Sequence, residues 1–229
     1  MDAKAIDIKH EKLMHRAATL VGGFAGMYTV FIIANLGSSQ TVCLLDLMIA
    51  LFGRDVREFL LRALGVVLYG CSVFAASFLT KRGKVDTRAI SVILLAAGFS
   101  VMGLTPIDTE PAVKLYAPFI MLSFMWVVFG SMGGYASAPI FSTNNYRQTV
   151  GSLAEYFADH DKKHLDKAKH FGGTLLVFHI GAAAAYFLCE RFDERAAFFG
   201  LVPTLLLTAA VYVPKAVAVL RRKPAHAVK

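Results

Sequence analysis

Long apolar runs alternate with short polar and charged segments along the whole chain, and within each run the apolar residues are continuous. A helix that crosses a bilayer needs roughly 20 mainly apolar residues. This pattern predicts six such helices, at about residues 17–36, 59–79, 87–104, 113–134, 171–189 and 196–220, with Pro214 an alternative end for the last. Helices satisfy their own backbone groups, which lipid cannot do. A β-barrel would instead alternate apolar and polar residues along each strand, so the expected fold is all-α and integral to a membrane, a single domain over residues 1–229.

Composition agrees with lipid as the solvent: 56% of the 229 residues are hydrophobic and the mean hydropathy is positive, too apolar for one soluble core of this size. The charge then sets an orientation. About 18 of the 24 lysines and arginines fall on one side if the N-terminus is inside: the N-terminal segment, the "KRGK" turn with Arg88, Arg147 with "DKKHLDKAK", Lys215 and the C-terminal "RRKPAHAVK". The positive-inside rule makes that side cytoplasmic, with both termini there. The net charge of +8 is thus spread over span ends beside lipid headgroups, which argues against nucleic acid as a partner. The first sixteen residues are polar and lead into a full-length span without an Ala-x-Ala site, which reads as an uncleaved first helix.

The chain also repeats itself. Setting Gln40 against Gln148 without gaps pairs Gly22 with Gly130, Gly26 with Gly134, Ile32 with Ile140, Thr41 with Thr149, Val42 with Val150, Leu45 with Leu153 and Ala50 with Ala158. Nearby, "AASFLTKR" from Ala75 resembles "AAYFLCER" from Ala184, and "DTRA" from Asp86 resembles "DERA" from Asp193. The two repeats, about 17–104 and 113–220, carry three spans each. An odd number inverts the second repeat relative to the first, about a two-fold axis in the membrane plane.

After its first span each repeat has a segment too short to cross and too apolar for a solvated loop, "QTVCLLDLMIALFG" and "QTVGSLAEYFADHDKKH". Each is expected to be a short half-helix beginning near Gln-Thr, either re-entering the membrane or lying at its interface. Capping by Ser39 or Thr41, and by Thr143 or Thr149, would leave a positive helix end and spare polar side chains. The candidate pathway residues are accordingly Gln40, Thr41, Gln148 and Thr149, with Asn35, Asn144 and the intraspan His179. The candidate packing residues are Gly22, Gly26, Gly130 and Gly134, set in small-xxx-small pairs, with Ser131 and Gly133 beside them and Pro139 expected to break span four.

Other chemistry is thin. His179 has no second histidine at its depth for a haem, and "HDKKH" lacks the glutamate of a zinc-protease motif and carries lysines that repel a cation. Cys43, Cys71 and Cys189 show no C-x-x-C spacing. No cofactor, metal or enzymatic activity is expected, since no nucleophile, base and orienting group can be assembled within the spans.

The Gly-Gly-rich first span with a tyrosine, "VGGFAGMYTVF", the small polar stretch "GSSQTV", the Ala-rich second span ending in Lys-Arg and the return of the theme after span four resemble the YoaK family. The resemblance covers about residues 17–215 and implies a six-span protein of the bacterial inner membrane, with no established substrate. It also marks departures: members often carry an acidic residue near the position of Thr29, and Thr-Gly-Asn where this chain has Thr41-Val42-Cys43. In the second repeat, Thr143-Asn144-Asn145 with Arg147 is closer to that motif than Thr149 is.

Two functions fit. One is a transporter or channel for a small neutral or zwitterionic solute, with its site between the inverted repeats; the other is a partner-binding or sensory protein acting through a cytoplasmic loop at 143–170. The charge pattern predicts that reporters placed after Lys229 and within "KRGK" report cytoplasm and one within "IDTEP" reports the exterior. A C-terminus on the exterior side would contradict the inverted duplication.

Overall fold

The computed structural model describes residues 3–130 and 134–222. They form α1 (Ala3–Ile33), α2 (Gln40–Phe52), α3 (Val56–Arg82), α4 (Thr87–Leu104), the single turn α5 (Pro111–Lys114), α6 (Tyr116–Phe129), α7 (Thr143–Asp159), α8 (Lys162–Phe192) and α9 (Leu201–Arg222). A 3-10 stretch, Asp193–Gly200, joins the last two. The chain is all-helical among the described residues, as expected.

Polar residues set the ends of these helices. Asp55 and Asp86 accept from the first backbone N–H groups of α3 and α4, and Gly83, left-handed at φ 62°, closes α3. His160, left-handed at φ 57°, closes α7, and Asp161 caps α8 one residue later. The lysines of "DKKHLDKAK" therefore sit on the first turns of α8, where a loop was expected. Span four is also corrected: its helix stops at Phe129 with Gly130 as C-cap, well before Pro139. Ser131, Gly133 and the tail from 223 to 229 lie outside the described residues.

Five helical runs are long and apolar enough to cross a membrane: Ile8–Ile33, Val56–Arg82, Thr87–Leu104, Pro111–Phe129 and Lys162–Pro214. The last joins two of the expected spans. At 53 residues it would be about 80 Å long if straight, far beyond a hydrocarbon core. It is not straight. Asp193 takes φ 49°, and Val177 of α8 faces Leu206 and Ala209 of α9 alongside Leu13, Ala17 and Leu20 of α1. The chain doubles back at 193–200.

Helix α1 is the spine. Its Met14, Ala18, Val21, Phe24, Ala25 and Tyr28 are buried against Leu95 and Phe99 of α4, Met121 and Met125 of α6, Ala185 of α8 and Leu207 of α9. The outward faces are as apolar as the core: Phe74, Ile93, Leu176, Phe187 and Leu205 are each about two-thirds exposed or more. An apolar surface of that extent marks contact with lipid.

Glycines let α1 approach α8. A Cβ on Gly23 would collide with the Phe178 carbonyl oxygen, and one on Gly181 with the Leu20 carbonyl oxygen. Gly22 is pressed in the same way against the Pro139 carbonyl, as its candidate packing role requires. Gly26 has room, its nearest neighbour being Phe178 Cζ at 3.4 Å, and the atoms nearest a Cβ on Gly130 belong to Trp126, one turn back in α6. Gly134 serves conformation: its φ is +90° and nothing lies within 4 Å. The helix-crossing glycines are thus Gly23 and Gly181, which the duplication does not pair with one another. Gly23→Ala and Gly181→Ala should each cost about 1–3 kcal/mol by overpacking, read as a lower thermal midpoint and loss of the monodisperse peak. Gly26→Ala should leave both measurements near the parent's.

Candidate functional site

Two breaks in the helical backbone build the site. In the first, Ala34 takes φ 55° and ends α1, and the chain turns back along it. Thr29, fully buried, donates its hydroxyl to Gly26 O (3.0 Å) and accepts from Gly37 N (3.0 Å), while Asn35 N reaches Thr29 O (3.4 Å). Gly37 fits between Thr29 Cγ2 and Pro118 with no space for a Cβ. Helix α2 then starts at Gln40, capped by Ser39, whose oxygen accepts from Thr41 N.

The second break follows α6. Residues Ala138, Pro139 and Ile140 are buried yet not helical, and Pro139 lies on Gly22, near the middle of the span Ile8–Ile33. Asn145, also fully buried, donates its Nδ2 to Ala138 O (2.9 Å) and Phe141 O (2.8 Å). Helix α7 starts at Thr143, and Ser142 at its N-cap makes no side-chain capping bond. The two breaks are tied together, for Ser38 donates its hydroxyl to Ile140 O (3.1 Å).

Both helix starts therefore open on one groove of about 560 Å³, lined by Leu36, Ser39 and Thr41 from the first break, by 140–144 and Arg147 from the second, and by Phe178 of α8. That size suits a small solute. The electrostatics are positive: two helix N-termini carry the positive ends of their dipoles, and the exposed Arg147 donates to Asn144 Oδ1 at 3.3 Å. Neither amide atom of Gln40 has a hydrogen-bond partner among the described residues, nor does Asn145 Oδ1. Buried polar groups left so cost about 1–3 kcal/mol each.

Of the expected pathway residues, Thr41 and Asn144 line this groove, and Gln40 is not among its lining residues. The others lie elsewhere. Asn35 donates to Asp46 Oδ2 (3.2 Å), within an ion cluster in which Arg62 bridges Asp46 (2.5 Å) and Glu58 (2.6 Å) and pins α2 to α3. Gln148 and Thr149 sit on the second turn of α7; Thr149 donates to Asn145 O (2.7 Å) and packs its methyl towards Gly172. His179 is exposed on the outer face of α8, with Nδ1 bonded to Leu175 O at 2.8 Å, so the interior orientation expected of an intraspan histidine is not found.

The displaced pair has a physical origin. The buried positions are Cys43 and Ala50 on α2 and Asn145 and Ser152 on α7, both pairs 102 apart, whereas the gap-free match is 108 apart. The Gln-Thr match thus falls six residues too far into α7. Arg147, absent from the expected site, carried a usable signal: a basic residue one turn after the hydroxyl-rich "STNN" that begins a half-helix.

These features define a class: an all-helical, multi-pass membrane protein with two broken helices that meet at a polar groove. Within that class the chain belongs to the family described as "Protein of unknown function (DUF1275)", whose model matches residues 14–212, in line with the resemblance to the YoaK family. Comparison with curated proteins and with solved structures gives no match.

Thr29 is the pivot of the first break, and removing its hydroxyl strands the buried Gly37 N–H. Thr29→Val should therefore destabilise by about 1–3 kcal/mol, whereas Thr29→Ser should restore most of the loss; equal thermal midpoints for the two variants would show that the hydroxyl does nothing.

Proposed function

We propose that this protein is a transporter or channel for a small solute bearing a carboxylate, zwitterionic or anionic, and that the solute passes along the groove at the starts of α2 and α7. The observation that carries the reading is the convergence of these two starts on one polar cavity. Their positive dipole ends and Arg147 favour a carboxylate. The hydroxyls of Ser39, Thr41, Ser142 and Thr143 supply donors and acceptors for the rest of the molecule.

The architecture we infer is six spans in two inverted repeats, counting α8 and α9 separately because the chain reverses between them. Packing supports this: α1 lies on α8 and α9 as α6 lies on α3 and α4, and α2 lies on α3 as α7 lies on α8. Such pairing suits alternating access by one repeat rocking against the other. The partner-binding alternative needs a free loop at 143–170, but α7 is packed along the start of α8.

The test begins with a chain in which Cys43, Cys71 and Cys189 are replaced by alanine. In it, Thr41→Cys and Asn144→Cys should react with a small membrane-impermeant thiol reagent, while His179→Cys should stay unmodified in lipid. In proteoliposomes, a panel of labelled amino acids and small carboxylates should yield at least one that accumulates, and labelling at position 144 or Arg147→Gln should abolish that uptake. Protection of both positions from the reagent, with no solute entering, would remove the transport reading.

A further inference from the structure

A second cavity, of about 440 Å³, lies at the end of the bundle where α1 and α8 begin. It is lined chiefly by Lys12 and Arg16 of α1, Lys169 and His170 of α8, and Tyr135 of the break after α6, with Asp166 the acidic lining residue. Lys12 and Arg16 are one turn apart on α1, so they present to the same side. Among the described residues, Lys12, Arg16, Lys169 and Asp166 form no ion pair. Three cations thus face one cavity against a single carboxylate. Gly173 leaves space beside the guanidinium: a Cβ there would stand 3.6 Å from Arg16 Nη2.

The floor of the cavity is ordered by a directional hydrogen-bond chain. The Phe129 carbonyl can only accept, so His15 Nδ1, at 2.8 Å from it, carries the proton. Neutral His15 then accepts at Nε2 from the Ser137 hydroxyl (2.6 Å), and Ser137 Oγ accepts in turn from His170 Nε2–H (3.1 Å). His15 is fully buried and lies stacked 5.8 Å from His170. One nitrogen of His15 and one of His170 hold Ser137, while the other nitrogen of His15 holds the Phe129 carbonyl. The His170 ring, flanked by Tyr135 at 4.9 Å, is thereby fixed as a wall of the cavity.

We propose that this cavity binds a phosphate group, held by Lys12, Arg16 and Lys169. A tetrahedral dianion or a phosphodiester matches three converging cationic donors, with the Arg16 guanidinium able to bind two oxygens at once. The site is separate from the groove. The segment 134–142 joins them, since Tyr135 and Ser137 belong to the one neighbourhood and Ile140 to Ser142 to the other.

The phosphate could be free in solution or belong to an anionic lipid headgroup, and the experiment separates the two. The full chain is placed in nanodiscs of phosphatidylcholine, and its thermal midpoint is followed against inorganic phosphate, with sodium chloride of equal ionic strength as control. In parallel, detergent-purified protein is offered phosphatidylglycerol and phosphatidylcholine, and retained lipid is counted by native mass spectrometry. Free phosphate as ligand gives a phosphate-specific rise, and a headgroup ligand gives one retained phosphatidylglycerol in preference to phosphatidylcholine. Either signal should weaken about ten-fold or more in Lys12→Gln/Lys169→Gln, whose fold is checked by an unchanged elution volume, and should persist in Arg147→Gln, whose change lies in the groove. A double variant that elutes normally and still binds like the parent, or a parent showing neither signal, overturns the proposal. Neither result bears on whether the groove carries a solute.

Discussion

Backbone that leaves the helix at membrane depth must find its hydrogen bonds inside the protein, and the structure is organised around meeting that demand twice. Four side chains do most of it. Thr29 serves Gly37, Ser38 serves Ile140, Asn145 serves Ala138 and Phe141, and His15 serves the Phe129 carbonyl at the end of α6. All four are almost completely buried. Polar residues at such positions would be costly in an apolar core without partners; here each one holds a carbonyl or N–H that has no helical partner.

Once these bonds are made, the rest follows from geometry. The Ser38–Ile140 bond joins the two breaks, so the helices that leave them, α2 and α7, start at the same place and diverge. Their N-termini share one groove. Glycines at the α1–α8 crossing bring the spine close enough for Pro139 to rest on Gly22, which fixes the depth of the second break. The Arg62 cluster with Asp46 and Glu58 then holds α2 against α3, leaving Leu45, Ile49 and Phe52 facing outward.

Much of this was legible in the residues. Apolar runs located every long helix, and α4 spans the predicted 87–104. The small polar stretch before Gln40 marked the first half-helix, because Gly37, Ser38 and Ser39 cannot continue an apolar span. What the sequence left open was which of two candidates, Thr143 or Thr149, begins the second half-helix. Its start is written in Thr143 and Asn145, whose roles depend on carbonyls at 138 and 141 that become orphaned only after the chain folds back. The literal repetition of Gln-Thr-Val pointed six residues too late, at positions that pack α7 on α8. The fold-back at Asp193 was legible, since the charged "ERFDER" separates the expected spans 171–189 and 196–220. His15 and His170 were assigned no role, for they lie at the polar edges of their spans and only the path of residues 134–142 brings Ser137 between them.

The central claim is that α2 and α7 begin side by side, with Thr41 and Asn144 on a common groove. A short bifunctional thiol reagent applied to membranes measures this directly, in a chain whose native cysteines have been replaced by alanine. The account predicts efficient intramolecular cross-linking of Thr41→Cys with Asn144→Cys and little of Thr41→Cys with Thr149→Cys. Cross-linking through position 149 and none through 144 would restore the register of the literal repeat and contradict the structure's placement of the two helix starts.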